Sequence, residues 1–409
     1  MTYEEIQSLL REKGQEQLLR FYGDLDEGGK ARLLDRIGQI DWSFAETFAH
    51  PEDLSGKGSR VEPIAGMRLP EIERSRAQFE EAGVRAIREG KVAAVLLAGG
   101  QGTRLGADGP KGAYDIGVTR HLPIFACQMH NLLEVVQKCG AWVPLYIMTS
   151  EKNDAETRAF WKENGWFGYP ESEVFFFVQD MAPAVDFGGR IYLEDRDMPA
   201  LSPNGNGGWF SSLTKAGLAA DLKRRGVEWV NVYAVDNVLQ RIADPVFVGA
   251  TLLSGANCGA KVVCKTRPEE KVGVLCLENG KPAIIEYYEL SPEMAAERAP
   301  DGSLAYLYGV ILNYLFRLEK LEEISGQRIP VHMVKKKIEH LDGTGNKVKP
   351  EAENGYKFET LAVDLIKPMG SVLPFEVDRE KEFAPVKNRT GTDSVDSARA
   401  LLEKNGVIL

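Results

Sequence analysis

Short apolar runs alternate with amphipathic stretches along most of this chain. The apolar runs contain little polar alternation, which is typical of strands buried on both faces of a sheet. They predict strands at Val92–Ala98, Pro144–Met148, Val174–Val178, Trp229–Ala234, Gly259–Thr266, Val272–Leu277 and Ala283–Tyr288. The stretches between them show helical periodicity and predict helices at Ile124–Cys139, Ala155–Asn164, Ser211–Arg225, Pro245–Ser254 and Ala305–Lys320. This alternation predicts an α/β fold with a mainly parallel mixed sheet and helices on both faces.

The first part of the chain lacks this alternation. Apolar positions recur there at helical spacing in residues 3–48 and again over Pro70–Glu89, with a connection rich in Pro and Gly between them. We therefore expect a helical N-terminal region at 1–90, a main α/β domain at 91–335 and a short C-terminal region at 336–409.

Composition narrows the class of partner. The chain has 409 residues, of which 44% are hydrophobic and 27% are charged, as in ordinary globular proteins. Its net charge is −10 and it has no basic tract, which argues against a nucleic acid or an anionic membrane as partner. A polyanionic ligand must therefore be held by cations placed locally.

Cysteine usage and the N-terminal pattern favour a cytoplasmic protein. The five cysteines are odd in number and show no C-x-x-C spacing, which suits reduced thiols better than a disulfide or zinc framework. The N-terminus is acidic and lacks a signal-peptide pattern. The apolar run Val92–Ala98 is far too short to span a bilayer.

A glycine-rich loop follows the first predicted strand, in the run V-A-A-V-L-L-A-G-G-Q-G-T-R-L-G-A-D-G-P-K-G at 92–112. The dinucleotide fingerprint G-x-G-x-x-G fails here because its last position is Leu105, and the Walker A pattern fails because Pro110 precedes Lys111. Bare backbone amides can still approach a nucleotide, while Arg104 and Lys111 can meet its phosphates. A tight strand–helix turn would need the glycines but would not explain the two cations.

The complete run L-A-G-G-x-G-T-R-L-G…P-K-G resembles the signature of the sugar-nucleotide pyrophosphorylases, and within them of the eukaryotic-type UDP-N-acetylhexosamine and UDP-sugar pyrophosphorylases. The resemblance continues in the family's order from about Lys91 to Asn388. Its further motifs are Y-I-M-T-S (146–150), F-F-F-V-Q-D-M-x-P (175–183), P-N-G-N-G-G (203–208), V-Y-A-V-D-N (232–237), G-A-K-V-V-x-K-T (259–266), V-G-V (272–274), I-E-Y-x-E-L-S (285–291) and E-F-A-P-V-K-N (382–388). It implies a Rossmann-like nucleotide-diphospho-sugar transferase fold.

The resemblance also implies the reaction. A UTP-dependent uridylyltransferase joins UTP and a sugar 1-phosphate into a UDP-sugar and releases pyrophosphate. The substrate's own phosphate is the nucleophile, so catalysis needs alignment and charge neutralisation by Mg²⁺ and cations rather than a protein nucleophile. The catalytic domain would then be 91–335, with Lys387 contributed by the C-terminal region.

The resemblance also implies a role for individual residues of this sequence. The expected catalytic cations are Arg104, Lys111 and Lys387, and Asp236 is the expected Mg²⁺ ligand because Mg²⁺ prefers hard oxygen ligands. A helix cap is the alternative role for such an aspartate, and Asp244 before Pro245 suits that role better. The expected substrate-binding residues are Ala98, Gly99, Gly100, Gln179, Gly205, Asn206, Gly273, Glu286, Tyr287 and Val310.

Two of these expectations have plain alternatives. Gln179 could read the imide edge of uracil with its amide, but taken alone it could equally be an exposed residue at a strand end. Lys387 taken alone could be an ordinary surface lysine. Only the surrounding motifs favour the functional interpretation of either residue.

Departures from the family's pattern concern the sugar. The family's asparagine in G-N-I is Val310 here, and the aromatic pair near the N-acetyl pocket is replaced by Leu361 and Val363. We expect N-acetylglucosamine 1-phosphate as the sugar substrate, with glucose 1-phosphate or a broad range of sugar phosphates as the alternative.

Two further function classes remain as alternatives. A non-catalytic nucleotide-sugar binder would not need to retain Arg104, Lys111, Asp236 and Lys387. A nicotinamide-dependent oxidoreductase is disfavoured by the failed dinucleotide fingerprint.

Overall fold

The computed structural model of the protein describes residues 1–49, 59–327 and 329–409. Its helices are α1 (Tyr3–Lys13), α2 (Glu27–Gly38), α3 (Phe44–Ala49), α4 (Leu69–Arg88), α5 (Ile124–Cys139), α6 (Asp154–Glu163), α7 (Trp209–Lys215), α8 (Leu218–Arg224), α9 (Pro245–Ser254), α10 (Pro292–Ala296), α11 (Leu318–Ile324), α12 (Ile366–Met369), α13 (Arg379–Glu382) and α14 (Val395–Lys404). Its strands are β1 (Val61–Pro63), β2 (Val92–Leu97), β3 (Leu145–Thr149), β4 (Val174–Val178), β5 (Met181–Pro183), β6 (Val185–Asp186), β7 (Leu193–Asp195), β8 (Met198–Pro199), β9 (Leu201–Pro203), β10 (Trp229–Ala234), β11 (Cys258–Cys264), β12 (Val274–Glu278), β13 (Lys281–Ile285), β14 (Tyr308–Arg317), β15 (His332–Lys336), β16 (His340–Leu341), β17 (Lys347–Val348), β18 (Gly355–Glu359) and β19 (Val372–Glu376).

Among the described residues, the largest sheet has ten strands. β10, β2, β3 and β4 lie side by side and run parallel. On the other side of β10, the long strand β14 runs antiparallel to it and also pairs with β11 and β12. The predicted α/β class with a mixed, mainly parallel sheet is confirmed.

Burial explains why the parallel strands could be identified from sequence. Every residue of β2 and β3 is buried, so both strands are apolar on both faces. Helices α4 and α9 pack together at glycines: a methyl group on Gly83 would lie 1.9 Å from the carbonyl oxygen of Pro245, and one on Gly249 would lie 1.7 Å from that of Phe79. The two helices therefore touch backbone to backbone.

Several predicted elements end where expected. Strands Val174–Val178 and Trp229–Ala234 and helices Ile124–Cys139 and Pro245–Ser254 match the structure at both ends. The predicted helix Ser211–Arg225 is instead two helices, α7 and α8.

The predicted helix at Ala305–Lys320 is wrong, because most of this stretch is β14. β14 is an interior strand: Tyr314 is the register partner of Val232 in β10 and of Ala260 in β11. A strand covered on both faces is apolar at nearly every position, so its apolar residues also satisfy a helical spacing. Pairing with two neighbouring strands decided the outcome.

The described residues form two compact units. Unit 1 comprises residues 1–49, 180–208 and 329–361, and contains α1 to α3 and the sheet of β15, β18 and β6. Unit 2 comprises residues 59–179, 209–327 and 362–409, and contains the ten-stranded sheet. These boundaries differ from the three consecutive segments 1–90, 91–335 and 336–409, which stay a prediction.

Over the described ranges, the helices lack the combination of length and apolar character that crossing a membrane requires.

Candidate active site

The predicted nucleotide residues of unit 2 follow the carboxyl ends of parallel strands. Gly99 and Gly100 follow β2, Gln179 follows β4 and Asp236 follows β10. Because parallel strands end at the same edge of a sheet, these residues gather at the edge where open α/β sheets bind ligands.

The glycine loop after β2 folds back on itself. The amide of Gly102 donates to the carbonyl of Gly109 at 2.9 Å, and that of Lys111 donates to the carbonyl of Gly100 at 3.1 Å. Within the part of the chain that the structure describes, the amides of Gly99 and Gly100 donate to no protein acceptor. The loop thus offers unpaired donors to an anion or a base.

A buried asparagine that sequence reasoning missed holds this loop. The Asn153 side chain is fully buried, and its Nδ2 donates to the carbonyls of Ala98 at 3.0 Å and Gly100 at 3.3 Å. Its Oδ1 accepts from the amide of Ser150 at 2.8 Å, after β3. Asn153 precedes α6, where an asparagine normally indicates only a helix cap, so its position before a helix concealed its long-range role.

Gln179 lies against the glycine loop. Its side chain is buried, with 7% of the residue exposed, so the interpretation as an exposed strand-end residue is wrong. A methyl group on Gly99 would come within 2.7 Å of Oε1 of Gln179. Glycine at 99 is therefore what allows the Gln179 amide to lie beside the loop.

The other two predicted cations and Asp236 all influence the pKa of Lys111. Burial lowers the pKa of the half-buried Lys111 ammonium, and the positive charges of Lys387 and Arg104 lower it further. The Asp236 carboxylate acts in the opposite direction and raises the pKa. Four residues predicted from three separate motifs thus meet at one place, where the charges of the other three act on the Lys111 ammonium.

Amide side chains fix the loop that carries Asp236. The fully buried Gln128 of α5 donates from Nε2 to the carbonyls of Ala234 at 3.1 Å and Asn237 at 3.3 Å, on either side of Asp236. This role could not be identified from sequence, because one glutamine in an amphipathic helix has no local signature. Asp244 accepts from the amide of Val246 at 3.1 Å and caps α9, which confirms its predicted role as the capping aspartate.

The expected Mg²⁺ site can be compared with the His, Cys, Asp and Glu side chains that could bind a metal ion. Among the described residues, no three His, Cys, Asp or Glu side chains group as a metal cage. A single carboxylate among cations that are predicted to bind phosphate still fits Mg²⁺, which keeps several waters and is typically held by one or two carboxylates together with substrate phosphates. Asp236 fits that description.

The segment before Lys387 is hydrogen-bonded to the backbone of Asp236. The amide of Val386 donates to the carbonyl of Asp236 at 2.9 Å. The Lys387 ammonium lies 3.1 Å from Oδ2 of Asp393, and 45% of its side chain is exposed. Lys387 is thus partly solvent-exposed, but it is ion-paired and held beside Asp236.

Three of the predicted sugar residues lie together. The amide of Val310 donates to the carbonyl of Gly273 at 2.9 Å. A methyl group on Gly273 would lie 3.4 Å from Oε1 of Glu286 and 3.5 Å from Cγ2 of Val310. Tyr287 follows Glu286 and is 41% exposed. Since β14 runs antiparallel to β10, the start of β14, where Val310 lies, is near the edge that carries Asp236.

Gly205 and Asn206 belong to unit 1. Gly205 has a φ of 86°, and a methyl group there would lie 2.2 Å from the carbonyl oxygen of Thr360. Asn206 begins a short 3-10 turn that ends at Gly208. Glycine is therefore required at 205 by the local backbone, and the predicted roles of both residues in binding stay predictions.

Comparison with known proteins agrees with these observations. The model of the UTP–glucose-1-phosphate uridylyltransferase family matches residues 58–407. The UDP-N-acetylglucosamine pyrophosphorylase of Saccharomyces cerevisiae is 34% identical over 98% of this chain and 90% of its own length. UDP-N-acetylhexosamine pyrophosphorylase-like protein 1 of Mus musculus is 38% identical over 98% of this chain and 84% of its own length.

Solved structures extend the comparison to the fold. The UDP-N-acetylglucosamine pyrophosphorylase of Trypanosoma brucei, solved with an inhibitor, is 29% identical and superposes with a TM-score of 0.84 over 97% of this chain and 83% of its own. A UDP-glucose phosphorylase of the same organism is 18% identical, with a TM-score of 0.67 over 91% of this chain and 79% of its own, and shows the fold alone. The predicted nucleotide-diphospho-sugar transferase fold is confirmed.

Proposed function

The chain belongs to the UTP–glucose-1-phosphate uridylyltransferase family, and on that premise we propose that it is a nucleotidyltransferase that makes a UDP-sugar and pyrophosphate from UTP and N-acetylglucosamine 1-phosphate. One observation carries the proposal: Asp236, whose carbonyl accepts from the amide of Val386 next to Lys387, follows β10 at the same sheet edge as the Gly99 and Gly100 amides that follow β2. The Saccharomyces cerevisiae relative named for N-acetylglucosamine is 34% identical over 98% of this chain, and this likeness favours the N-acetylated sugar.

The reaction follows from the substrates' own chemistry. An oxygen of the sugar phosphate attacks the α-phosphorus of UTP in line, a new P–O bond forms, and the bond to the departing pyrophosphate breaks. One phosphoanhydride replaces another, so the reaction is close to reversible. Lys111, Arg104 and Lys387 neutralise the negative charge of the phosphates, which stabilises the charge that develops during the reaction.

Mg²⁺ is part of the proposal, with Asp236 as its protein ligand. The ion supplies charge neutralisation at the reacting and leaving phosphates. Lys111 contributes a mobile positive charge, while Arg104 can bind phosphate oxygens in bidentate fashion.

A cytoplasmic location also stays a prediction. It is supported by the five cysteines, all of which are free thiols.

Gln179 is the proposed reader of the base. Its amide carries both a donor and an acceptor, which matches the imide edge of uracil. Burial against Gly99 limits the orientations that this amide can adopt, which favours one base over others.

Pyrophosphate release from UTP with a panel of sugar 1-phosphates tests the proposal. We expect release with N-acetylglucosamine 1-phosphate, and less with glucose 1-phosphate or galactose 1-phosphate. Turnover of glucose 1-phosphate alone would overturn the choice of sugar and leave the uridylyl transfer standing. Binding of UDP-sugar without any release would instead identify a non-catalytic binder.

A further inference from the structure

Asn237, the residue after Asp236, joins two separate parts of the site. Its side chain is buried, with 2% of the residue exposed. Nδ2 donates to the carbonyl of Glu382 at 2.7 Å, and Oδ1 accepts from the amide of Ala384 at 2.9 Å. One amide group therefore uses both its donor and its acceptor on the backbone that leads to Lys387.

Backbone contacts continue this pairing toward Lys387. The amide of Val238 donates to the carbonyl of Ala384 at 3.3 Å, and that of Val386 donates to the carbonyl of Asp236 at 2.9 Å. The stretch that carries Asp236 and the stretch before Lys387 thus lie antiparallel, and the Asn237 side chain closes the end of this pairing away from Lys387.

Glu382, at the start of the segment that leads to Lys387, is held by an ion pair. The Glu382 carboxylate lies 2.5 Å from the ammonium of Lys261, whose side chain is fully buried. Lys261 also donates to the carbonyl of Arg241 at 3.1 Å. Glu382 is therefore held through its side chain by Lys261 and through its carbonyl by Asn237, so the segment can shift little while both contacts last.

The residue type at 237 suits this task. An aspartate would keep the acceptor for Ala384 but would lose the donor to Glu382, and it would place a second negative charge next to Asp236. An alanine would lose both bonds and leave a buried amide and a buried carbonyl with one partner fewer, which is costly inside a protein.

We propose that Asn237 is a positioning residue that sets Lys387 relative to Asp236. The inference rests on the proposed function, in which Lys387 neutralises phosphate charge opposite the Asp236 site. Small displacements of such a group cost catalysis heavily, about 10- to 100-fold for a shift near 1 Å. Asn237 acts on the reaction through Lys387 and touches no reacting atom.

Hydrogen exchange tests the positioning without requiring turnover. In Asn237→Ala, the peptide covering residues 383–388 should exchange at least about five-fold faster than in the wild type, because local opening becomes easier. Asn257→Ala is the matched control: Asn257 precedes β11 at the opposite end of the sheet, and its Nδ2 donates to the carbonyl of Met369 at 3.0 Å. Unchanged exchange of 383–388 in Asn237→Ala overturns the inference.

A double-mutant cycle with Lys387→Ala tests whether Asn237 acts on the reaction through Lys387. Asn237→Ala should lower kcat/KM about 10- to 100-fold in the wild-type background, and less than about three-fold in the Lys387→Ala background. An equal loss in both backgrounds would show that Asn237 acts on something other than Lys387, and would overturn the inference.

A second variant covers the case in which the alanine variant unfolds, and the exchange measurement covers the case in which the proposed function fails. If the alanine variant unfolds, Asn237→Asp retains the side-chain shape and the acceptor for Ala384, and the same directions are expected in both measurements. If the wild type releases no pyrophosphate with any sugar phosphate, the proposed function fails, while the exchange measurement still decides whether Asn237 holds the Lys387 segment.

Discussion

The ammonium of Lys387 lies 3.1 Å from the Asp393 carboxylate, and Asp393 has the left-handed backbone conformation, with a φ of 52°. The carbonyl of Asp393 also accepts from the amide of Lys387 at 2.7 Å. A non-glycine residue in this conformation is uncommon, and such strain is often associated with functional sites. The charge proposed to bind phosphate is therefore already paired with a carboxylate.

Asp393→Asn should tighten the binding of UTP and of pyrophosphate. Phosphate must displace Asp393 from Lys387, and the carboxylate also repels the incoming anion. Loss of one exposed ion pair corresponds to about two- to five-fold in the dissociation constant, measured by calorimetry. Asparagine tolerates the left-handed conformation, so the loop should be retained.

Asp396→Asn is the control for this experiment, because it removes the same charge from an exposed position on α14. Equal tightening in both variants would attribute the effect to net charge and would exclude a specific competition for Lys387.

Lys111 should set the alkaline limb of the pH profile. Its pKa is lowered by burial and by Lys387 and Arg104, so its positive charge is lost at a lower pH than for an ordinary lysine. kcat/KM should therefore fall as pH rises through this lowered pKa, because the deprotonated amine no longer attracts phosphate. Lys111→Arg keeps the charge and should move the limb to higher pH.

The uracil imide also titrates at alkaline pH, but equally for both enzymes, so the difference between the two profiles isolates Lys111. Identical limbs for wild type and Lys111→Arg would remove Lys111 from this role.

Gln179→Ala should raise KM for UTP and reduce discrimination against CTP, since the amide no longer reads the imide edge. Gly99→Ala should act in the same direction with Gln179 still present, because its methyl group would lie 2.7 Å from Oε1 of Gln179 and displace the amide. Steady-state kinetics with both nucleotides provide the measurement. Unchanged base selectivity in both variants would contradict the assignment.

Asp236→Ala should lower kcat by orders of magnitude and steepen the dependence on Mg²⁺, because the proposed protein ligand is lost. Its thermal unfolding temperature should stay close to that of the wild type, since the loop is held by Gln128 and Asn237 rather than by the Asp236 side chain. Normal turnover of the variant at limiting Mg²⁺ would refute the metal role.

Val310→Asn should sharpen the choice of sugar. Val310 lies beside Gly273 and Glu286 but offers no side-chain hydrogen bond, whereas an amide there could bind a sugar substituent. We expect the preference for N-acetylglucosamine 1-phosphate over glucose 1-phosphate to grow by roughly 1–3 kcal/mol, the scale of a buried polar contact. The measurement is kcat/KM for each sugar phosphate with both enzymes, and an unaltered ratio would count against contact between this position and the sugar.

The amino-acid sequence alone predicted the parallel strands and the motif residues. β4 and β10 match their predicted bounds, because each leaves a nearly continuous apolar run in the sequence. Gly99, Arg104 and Lys111 could be identified because they lie within one short run and their chemistry is visible from residue type.

Tertiary structure decided whatever depended on distant partners. β14 is a strand because β10 and β11 flank it, although its apolar spacing also fits a helix. Asn153, Gln128 and Asn237 gained their roles from carbonyls and amides far away in the chain or on the next element. An amide side chain has the same appearance in a sequence whether it caps a helix, faces solvent or holds a catalytic segment, and only the position of its hydrogen-bond partner distinguishes these cases.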